Sequence, residues 1–308
     1  MKTFYFLTNQ CNASCPYCFV EHGTDIMTSK DIDDSISKLP EDKYSEIVIY
    51  GGEPTLFPDT LLRLVESLLK DERKNLTIYS NGYNTSILDD LDKLRVQVYI
   101  NLDAYQGDLH KIQNFDWVYT IAPSNLDKIL DIYDLYNQNR KFPDFKIMHY
   151  YRPGADYWTE ESVNRLENVL KDLYAKYKEI LLETGSNMMP GFIRNYLMRL
   201  INRTTGSKNK HECSSYITFM PNGVIRNCYS CLDISRKINC SNCNISEVCS
   251  MNTPCYSDIP EQYQKLLCRI EKMIFETTIK LNSELKNETI WQQVILNVCK
   301  QGFSDGHM

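Results

Sequence analysis

The chain has 308 residues with 43% hydrophobic and 24% charged content, which is typical of a packed globular protein with one large domain and a smaller companion, and which excludes disorder. Its net charge of −6 gives no general attraction to nucleic acid or anionic lipid, and it has neither a signal-peptide pattern nor an apolar run long enough to span a membrane. Because metal binding explains 12 cysteines in such a chain better than disulfides do, we expect a cytoplasmic protein whose thiols bind metal.

Strand-like runs alternate with helical periodicity in the first half of the chain. Runs rich in β-branched and aromatic residues predict strands at Thr3–Leu7, Glu46–Tyr50, Leu76–Ser80, Val96–Asn101, Trp117–Ala122 and Lys146–Tyr151. Amphipathic patterns between them predict helices at Ser29–Leu39, Thr60–Lys70, Ser86–Leu94 and Asn125–Asn137. Such βα units build a parallel sheet, and six strands are too few for a closed eight-stranded barrel. The expected fold is therefore α/β, a partial (β/α)6 barrel with its chemistry at the strand C-terminal ends.

The composition changes near residue 205. Before it, periodicity predicts a long helix at Thr159–Thr184 and a shorter one at Gly191–Asn202. The polar, glycine-containing segment Arg203–His211 is the best linker candidate. Nine of the twelve cysteines follow it, together with helical patterns at Glu261–Glu284 and Glu288–Lys300. We therefore predict a first domain over residues 1–204 and a small cysteine-rich domain over residues 205–308.

Three cysteines follow the first predicted strand at the spacing C-x3-C-x2-C: Cys11, Cys15 and Cys18. Thiolate is the soft ligand that iron–sulfur clusters require, and three thiolates on one tight loop can hold three irons of a four-iron cluster. One iron then remains open. A structural zinc site would need a fourth Cys or His at short range, for which His22 is the candidate. The pattern favours the cluster.

The segment from Cys11 to Cys18, including the aromatic Tyr17 before the third cysteine, resembles the signature of radical S-adenosylmethionine (radical SAM) enzymes. The resemblance implies that the open iron chelates the amino and carboxylate groups of S-adenosylmethionine. Reductive cleavage would then yield methionine and a 5′-deoxyadenosyl radical. The resemblance also implies that Tyr17 packs near the adenine, which is compatible with a role as a core aromatic under the loop.

Further matches lie at the ends of the next predicted strands. Paired glycines let the backbone approach a ligand closely, and a carboxylate can accept a hydrogen bond from a ligand ammonium group. The sequence Gly51-Gly52-Glu53-Pro54 resembles the family's GGEP motif, which holds the methionine amino group. Ser80-Asn81-Gly82 resembles the family's Thr-Asn-Gly turn, and an ordinary turn is an equal interpretation. Asn101-Leu102-Asp103 lies where relatives often carry Ser-x-Asp directed at the ribose and methionine, and Asn101 retains hydrogen-bonding capacity.

The C-terminal cysteines form a second pattern. Cys213 and Cys228 flank a predicted β-hairpin with the turn Pro221-Asn222-Gly223, which would bring the two thiols together at its base. The later cysteines follow as Cys240-x2-Cys243-x5-Cys249, then Cys255 and Cys268. This order resembles the SPASM extension of radical SAM enzymes. One or two zinc ribbons are the alternative.

The SPASM resemblance implies two auxiliary four-iron clusters beside the catalytic one. The outer cluster would be held by Cys240, Cys243, Cys249 and Cys268. The inner cluster would be held by Cys213, Cys228 and Cys255, and it would be open at one iron or completed by Cys231 or His211. Cys299 is expected to be an ordinary buried thiol.

By resemblance, SPASM enzymes mostly modify ribosomal peptides or proteins. We therefore expect hydrogen abstraction from a peptide or protein, giving a crosslink, a thioether or an oxidised side chain. The alternative is oxidation or epimerisation of a small molecule such as a sugar or aminocyclitol, and a third class is a non-enzymatic metal-binding module. An electron donor such as flavodoxin or ferredoxin is an expected partner. Because the cysteine loop begins ten residues after Met1, we expect a separate leader-binding protein or direct docking on the helices of residues 155–210.

Three residues are candidate catalytic bases: Tyr229, Asp103 and His149. In sulfatase-maturing relatives an aspartate directly follows the cysteine matched here by Cys228, and Tyr229 stands at that position, which argues against that activity. His149 ends the sixth predicted strand with Tyr150 and Arg152, where a substrate pocket and a packed barrel edge are both compatible with the pattern.

Overall fold

The structure is a computed structural model that describes residues 2–42, 45–139, 143–148, 156–185, 187, 189–204, 216–226, 243 and 260–304. The chain divides into two compact units. One comprises Met1–Tyr119 and Glu212–Asp233, and the other comprises Thr120–His211 and Ile234–Met308. The predicted boundary at residue 205 falls on the segment 205–215, outside the described residues, and stays a prediction.

The first unit is built on a parallel sheet with helices between its strands. The strands are β1 (Lys2–Phe6), β2 (Glu46–Tyr50), β3 (Leu76–Ser80), β4 (Gln97–Asn101) and β5 (Asp116–Ile121), whose last two residues belong to the second unit. The helices are α1 (Ser29–Ile36), α2 (Pro58–Lys70) and α3 (Thr85–Lys93). The strand order is β5-β4-β3-β2-β1 and every neighbouring pair is parallel. The C-terminal ends of β1 to β4 therefore meet at one edge.

The helices follow from local sequence signals. α1 begins at a reciprocal capping box between Thr28 and Asp31. α2 has a proline at its first position, where the missing N–H costs nothing. Its buried residues recur at helical spacing on one face: Leu61, Leu64, Val65 and Leu68. Burial of this face explains why the periodicity predicted the helix correctly.

A hairpin extends the sheet beyond β1. Its strands β7 (Tyr216–Phe219) and β8 (Ile225–Arg226) are antiparallel and joined by the turn Pro221–Gly223, in which Asn222 has a left-handed φ of 63°. The predicted Pro-Asn-Gly hairpin is thus confirmed. β7 also pairs in parallel with β1, so β1 has neighbours on both sides. Because β7 rather than another βα strand lies on the far side of β1, the parallel βα strands do not close on one another into a complete barrel.

The second unit is mostly helical. Its helices are α4 (Ile129–Asn139), α5 (Glu160–Thr184), α6 (Gly191–Thr204), α7 (Glu261–Leu285) and α8 (Thr289–Ser304). The strand β6 (Asp144–Ile147) continues beside the end of β5, where the Met148 amide donates to the Ile121 carbonyl at 2.9 Å. The sixth strand was predicted at Lys146–Tyr151, so it begins two residues earlier than expected and ends at Ile147. Residues 149–151 lie outside the described part.

Two buried polar contacts hold the helices of this unit together. The Tyr174 hydroxyl on α5 lies 3.3 Å from the Thr278 hydroxyl on α7. The Tyr196 hydroxyl on α6 donates to the buried Glu271 carboxylate on α7. These bonds satisfy groups that would be costly to bury alone. Among the described residues, no helix combines the length and the apolar character needed to cross a membrane.

Candidate functional site

The three N-terminal cysteines lie on a loop that is closed at its base. We call residues 11–22 the cluster loop, and residues 8–10 with 23–27 its neck. Thr8 and Ile26 form an antiparallel bridge across the neck. The Asn9 amide group donates to the Asp25 carboxylate at 3.1 Å, and the Asp25 backbone amide donates to the Asn9 side-chain oxygen at 2.8 Å. The neck therefore fixes where the cluster loop leaves β1 and where it returns.

The two glycines after β2 pack against this neck. The Gly52 amide donates to the Thr8 carbonyl and the Glu53 amide to the Gln10 carbonyl, both at 2.7 Å. A Cβ atom at Gly51 would lie 2.3 Å from the Thr8 oxygen, and one at Gly52 would lie 2.0 Å from the Gln10 oxygen. The motif was predicted to let a ligand approach closely. In this structure the close approach is to the backbone of the neck, which requires glycine at both positions.

Glu53 is a buried carboxylate with four hydrogen-bond donors around it. Its Oε1 accepts from the Thr55 amide at 3.0 Å, the Thr55 hydroxyl at 2.6 Å and the Ser80 hydroxyl at 2.9 Å. Its Oε2 accepts from the Asn81 amide at 2.6 Å. Burial raises the pKa of Glu53, and the four hydrogen bonds oppose that rise. Glu53 thus joins the ends of β2 and β3, and Pro54 begins the short turn that presents the Thr55 amide.

Asn81 connects this carboxylate to the cluster loop. Its side-chain nitrogen donates to the Asn12 oxygen at 2.7 Å, and its side-chain oxygen accepts from the Tyr83 amide at 3.2 Å. The Asn81 side chain also hydrogen-bonds the Cys11 thiol. Gly82 follows with a left-handed φ of 80°. Ser80-Asn81-Gly82 is therefore a turn whose side chains contact Glu53 and the cluster loop, and its contact with a cofactor stays a prediction.

The three thiols are half-buried and influence one another electrostatically. Burial raises the pKa of Cys15 to about 12, and the nearby Asp103, Cys18 and Cys11 raise it as well. Burial also raises the pKa of Cys11, although the Ala13 amide donates to its sulfur at 3.4 Å. Cys18 lies 3.9 Å from the His22 ring nitrogen. Within the described part of the chain, no three Cys, His, Asp or Glu side chains form a group ready to hold a metal ion.

The donor set nevertheless fits an iron–sulfur cluster. Three thiols on one loop with a fixed neck are soft ligands of the kind that such clusters take. Because the thiols must lose their protons to become ligands, cluster binding here has to displace protons from groups whose pKa is raised.

The end of β4 also faces the cluster loop. The Asn101 side-chain nitrogen lies 3.5 Å from the Tyr17 hydroxyl. The Asn101 side-chain oxygen is buried and accepts no hydrogen bond from the described residues. Asp103 lies close enough to Cys15 to raise the pKa of that thiol. The structure therefore brings the predicted residues of β2, β3 and β4 to one place beside the cysteines, and a buried orphan acceptor fits a ligand that donates.

Several predicted site residues lie outside the described residues: His149, Tyr150, Arg152, His211, Cys213, Cys228, Tyr229, Cys231, Cys240, Cys249 and Cys255. Cys243 and Cys268 are described and half-buried. Cys299, which was expected to be buried, is half-buried as well. The reason is its place on α8, where Trp291, Val294 and Val298 form the buried face and position 299 lies on the flank.

Sequence reasoning missed the residues that position the loop. Asn9 and Asp25 pair across the neck although they are 16 positions apart, which no local pattern reveals. Asn12 lies inside the segment from Cys11 to Cys18, and its contact with Asn81 spans 69 positions. Thr55 donates twice to Glu53. Its position directly after the GGEP segment was the only available signal.

The family of the chain is shown by a match to the Radical SAM superfamily model over residues 5–166, more than half of its length. The chain belongs to the radical SAM superfamily and is therefore a radical SAM enzyme. No curated protein sequence matches it.

Solved structures show the same fold at low identity. Native anSMEcpe with bound AdoMet and Cp18Cys peptide is 15% identical with a TM-score of 0.69, and the match covers 92% of this chain and 98% of that one. Streptococcus suis SuiB bound to S-adenosylmethionine is 13% identical with a TM-score of 0.54, over 77% of this chain and 62% of SuiB. SuiB bound to its precursor peptide SuiA has a TM-score of 0.51 at 15% identity, over 74% of this chain and 59% of that one. These likenesses agree with the predicted α/β fold and are consistent with the SPASM subgroup.

Proposed function

We propose that this enzyme cleaves S-adenosylmethionine reductively and uses the resulting 5′-deoxyadenosyl radical to abstract a hydrogen atom from a peptide or protein. One arrangement carries the proposal. The loop with Cys11, Cys15 and Cys18 is hydrogen-bonded through Asn12 and Asn81 to the buried Glu53, at the C-terminal ends of the parallel strands. That edge is where α/β enzymes hold their substrates.

In this proposal, Cys11, Cys15 and Cys18 hold a four-iron cluster, which when bound supplies the electron for the cleavage. Glu53 orients the ammonium group of S-adenosylmethionine through Oε2, which among the described residues accepts from the Asn81 amide alone. The four surrounding donors hold the carboxylate in one rotamer. A fixed, buried carboxylate is a strong partner for a cation because water does not compete for it.

The remaining predicted cofactor residues take supporting roles. Asn101 accepts a hydrogen bond from the cofactor through its buried oxygen, and the neighbouring Tyr17 packs at the adenine. Gly51 and Gly52 dock the β2 end on the neck, and Pro54 and Ser80 shape and anchor Glu53. Asp103, which lies near enough to Cys15 to raise the pKa of that thiol, is the candidate base in this proposal.

The peptide class is favoured by the relatives of the same fold. The anSMEcpe and SuiB structures each contain a bound peptide. Tyr229, which replaces the aspartate of sulfatase-maturing enzymes, argues for a different reaction on such a substrate. An electron donor such as flavodoxin or ferredoxin would reduce the cluster.

The proposal is tested by anaerobic reconstitution followed by an assay for 5′-deoxyadenosine. Wild-type enzyme with S-adenosylmethionine and dithionite should form it, and Cys11→Ala, Cys15→Ala and Cys18→Ala should each abolish it. Cys299→Ala is the matched control, because that half-buried thiol lies on α8 and should leave the yield unchanged. Undiminished 5′-deoxyadenosine from the three variants, or none from the wild type with any reductant, would overturn the proposal.

The substrate class is tested separately by mass spectrometry. A short peptide encoded beside the gene should change mass when incubated with the reconstituted enzyme and its reductant. If such peptides stay unmodified while a sugar or aminocyclitol is oxidised or epimerised, the peptide assignment fails and the small-molecule alternative replaces it.

A further inference from the structure

A hydrogen-bonded chain of side chains links the cluster loop to the ends of two strands. Asn12 lies directly after Cys11, and its side-chain oxygen accepts from Asn81 at 2.7 Å. The Asn81 backbone amide donates to Glu53 at 2.6 Å, so one residue contacts both the loop and the buried carboxylate. The residues of this chain come from three segments far apart in sequence.

The orientation of the Asn81 side chain is fixed by its neighbours. Asn81 is 5% exposed, and its side-chain oxygen accepts from the Tyr83 backbone amide at 3.2 Å. Because a backbone amide can only donate, the oxygen of Asn81 must face Tyr83. The NH₂ group is therefore directed at the loop, where it meets Asn12 and the Cys11 thiol.

We propose that Asn12 and Asn81 are positioning residues that hold the first cysteine of the cluster loop in register with Glu53. One buried turn would then set both the place of a cluster ligand and the place of the carboxylate that orients S-adenosylmethionine. The role of these hydrogen bonds in placing the cluster and S-adenosylmethionine rests on the proposed function. The hydrogen bonds that join Asn12, Asn81 and Glu53 do not depend on it. If Asn81 served only as a turn residue, Asn12 would have no part in positioning the cluster loop.

The link is tested by hydrogen–deuterium exchange of the full-length chain, read on peptides that cover residues 11–18. Asn12→Ala and Asn81→Ala should each accelerate exchange there by about fivefold, the effect of one lost hydrogen bond. The double variant should exchange no faster than the faster single variant, because both changes remove the same bond. Asn12→Asp keeps an acceptor oxygen and should restore slow exchange.

The matched control is Asn84→Ala. Asn84 lies three positions after Asn81 and donates to the Thr55 carbonyl at 2.9 Å rather than to the loop. Exchange over residues 11–18 should stay at the wild-type rate in this variant. Wild-type exchange in both single variants, or a double variant whose acceleration is the product of the two, would overturn the proposal.

A second measurement separates this proposal from the proposed function. After anaerobic reconstitution, iron release to a chelator should be about fivefold faster in Asn12→Ala and Asn81→Ala than in the wild type and the Asn84→Ala control. Equal release rates would contradict the positioning role at the cluster. If the wild type takes up no iron at all, the proposed function fails while the exchange experiment still decides whether the link exists.

Discussion

At the scale of single residues, Glu53 is the group whose charge matters most for the proposed cofactor site. Burial raises its pKa, so it protonates at a higher pH than an exposed glutamate does. A protonated carboxyl loses its attraction for an ammonium group. Wild-type affinity for S-adenosylmethionine should therefore fall as the pH is lowered, and the fall should begin above the ordinary glutamate pKa of about 4.3.

Glu53→Gln is the corresponding substitution. It removes the negative charge while keeping the shape, so S-adenosylmethionine affinity should fall about tenfold or more at neutral pH. The fall in affinity on acidification should disappear in this variant. Titration calorimetry of the reconstituted enzyme measures both effects. Glu46→Gln, at the other end of β2 where Glu46 pairs with Lys2 at the surface, should change neither. Equal affinity of Glu53→Gln and wild type would remove Glu53 from the proposed site.

Single residues also show what a sequence motif can and cannot predict. Gly51, Gly52 and Glu53 could be selected from the sequence because they follow an apolar strand as a known motif. The reason that both glycines are needed could not be inferred from the sequence. It is the distance of 2.0 to 2.3 Å between a hypothetical Cβ and the carbonyl oxygens of Thr8 and Gln10, which only the folded backbone defines.

At the scale of elements, Asp31 connects α1 to the β7–β8 hairpin. Its carboxylate accepts from the Thr28 amide at 2.7 Å and the Thr28 hydroxyl at 2.8 Å, and also from the backbone amides of Asn222 and Gly223. Burial alone would raise the pKa of Asp31, but these hydrogen bonds hold it below its usual value. The folded state therefore favours the ionised carboxylate more than the unfolded state does.

We expect Asp31→Asn to lower the free energy of unfolding by about 1 kcal/mol at neutral pH, because the uncharged amide oxygen is a weaker acceptor in the capping box and in the hairpin contact. Because the pKa is lower in the folded state, this difference is fully present above the unfolded value of about 3.9 and is lost as the pH falls through the folded value. Denaturant unfolding from pH 7 to pH 3 measures it. Asp34→Asn, on the exposed face of α1, should behave like the wild type. A difference that grows on acidification would contradict this account.

The elements themselves were largely predictable. β2 and β3 begin and end where their apolar runs do, and α5 starts one residue after the predicted position, because Thr159 is its N-cap. α1 ends at Ile36 rather than at Leu39, and the shifted β6 and the short turn at Pro123–Lys128 before α4 are two further departures. In both, proline and tertiary pairing decided the boundary, which local periodicity does not encode.

At the scale of the whole molecule, the amount of iron that the protein holds tests the predicted role of the C-terminal cysteines. If the SPASM resemblance extends to its clusters, the reconstituted enzyme should contain about twelve irons in three clusters. Cys240→Ala and Cys243→Ala should each lower that number by about four. Both should spare 5′-deoxyadenosine formation more than product formation, since the predicted auxiliary clusters would act on the substrate rather than in the cleavage.

Iron analysis combined with Mössbauer spectroscopy tests this expectation. Cys299→Ala provides the control and should keep the full iron content. About four irons in the wild type, without an auxiliary signal, would show that the C-terminal thiols serve another purpose.

The sequence by itself determined the α/β class, the radical SAM resemblance and the cysteine loop, because these depend on local periodicity and on ligands a few residues apart. The 12 cysteines were its strongest signal. Only the tertiary structure decided that β7 pairs with β1 and that Asn9 and Asp25 are hydrogen-bonded. It also decided that Asn81 is hydrogen-bonded to both Asn12 and Glu53. These contacts join segments 16 to more than 200 residues apart, and such pairings depend on how the strands are ordered in space, which no local pattern in the chain specifies.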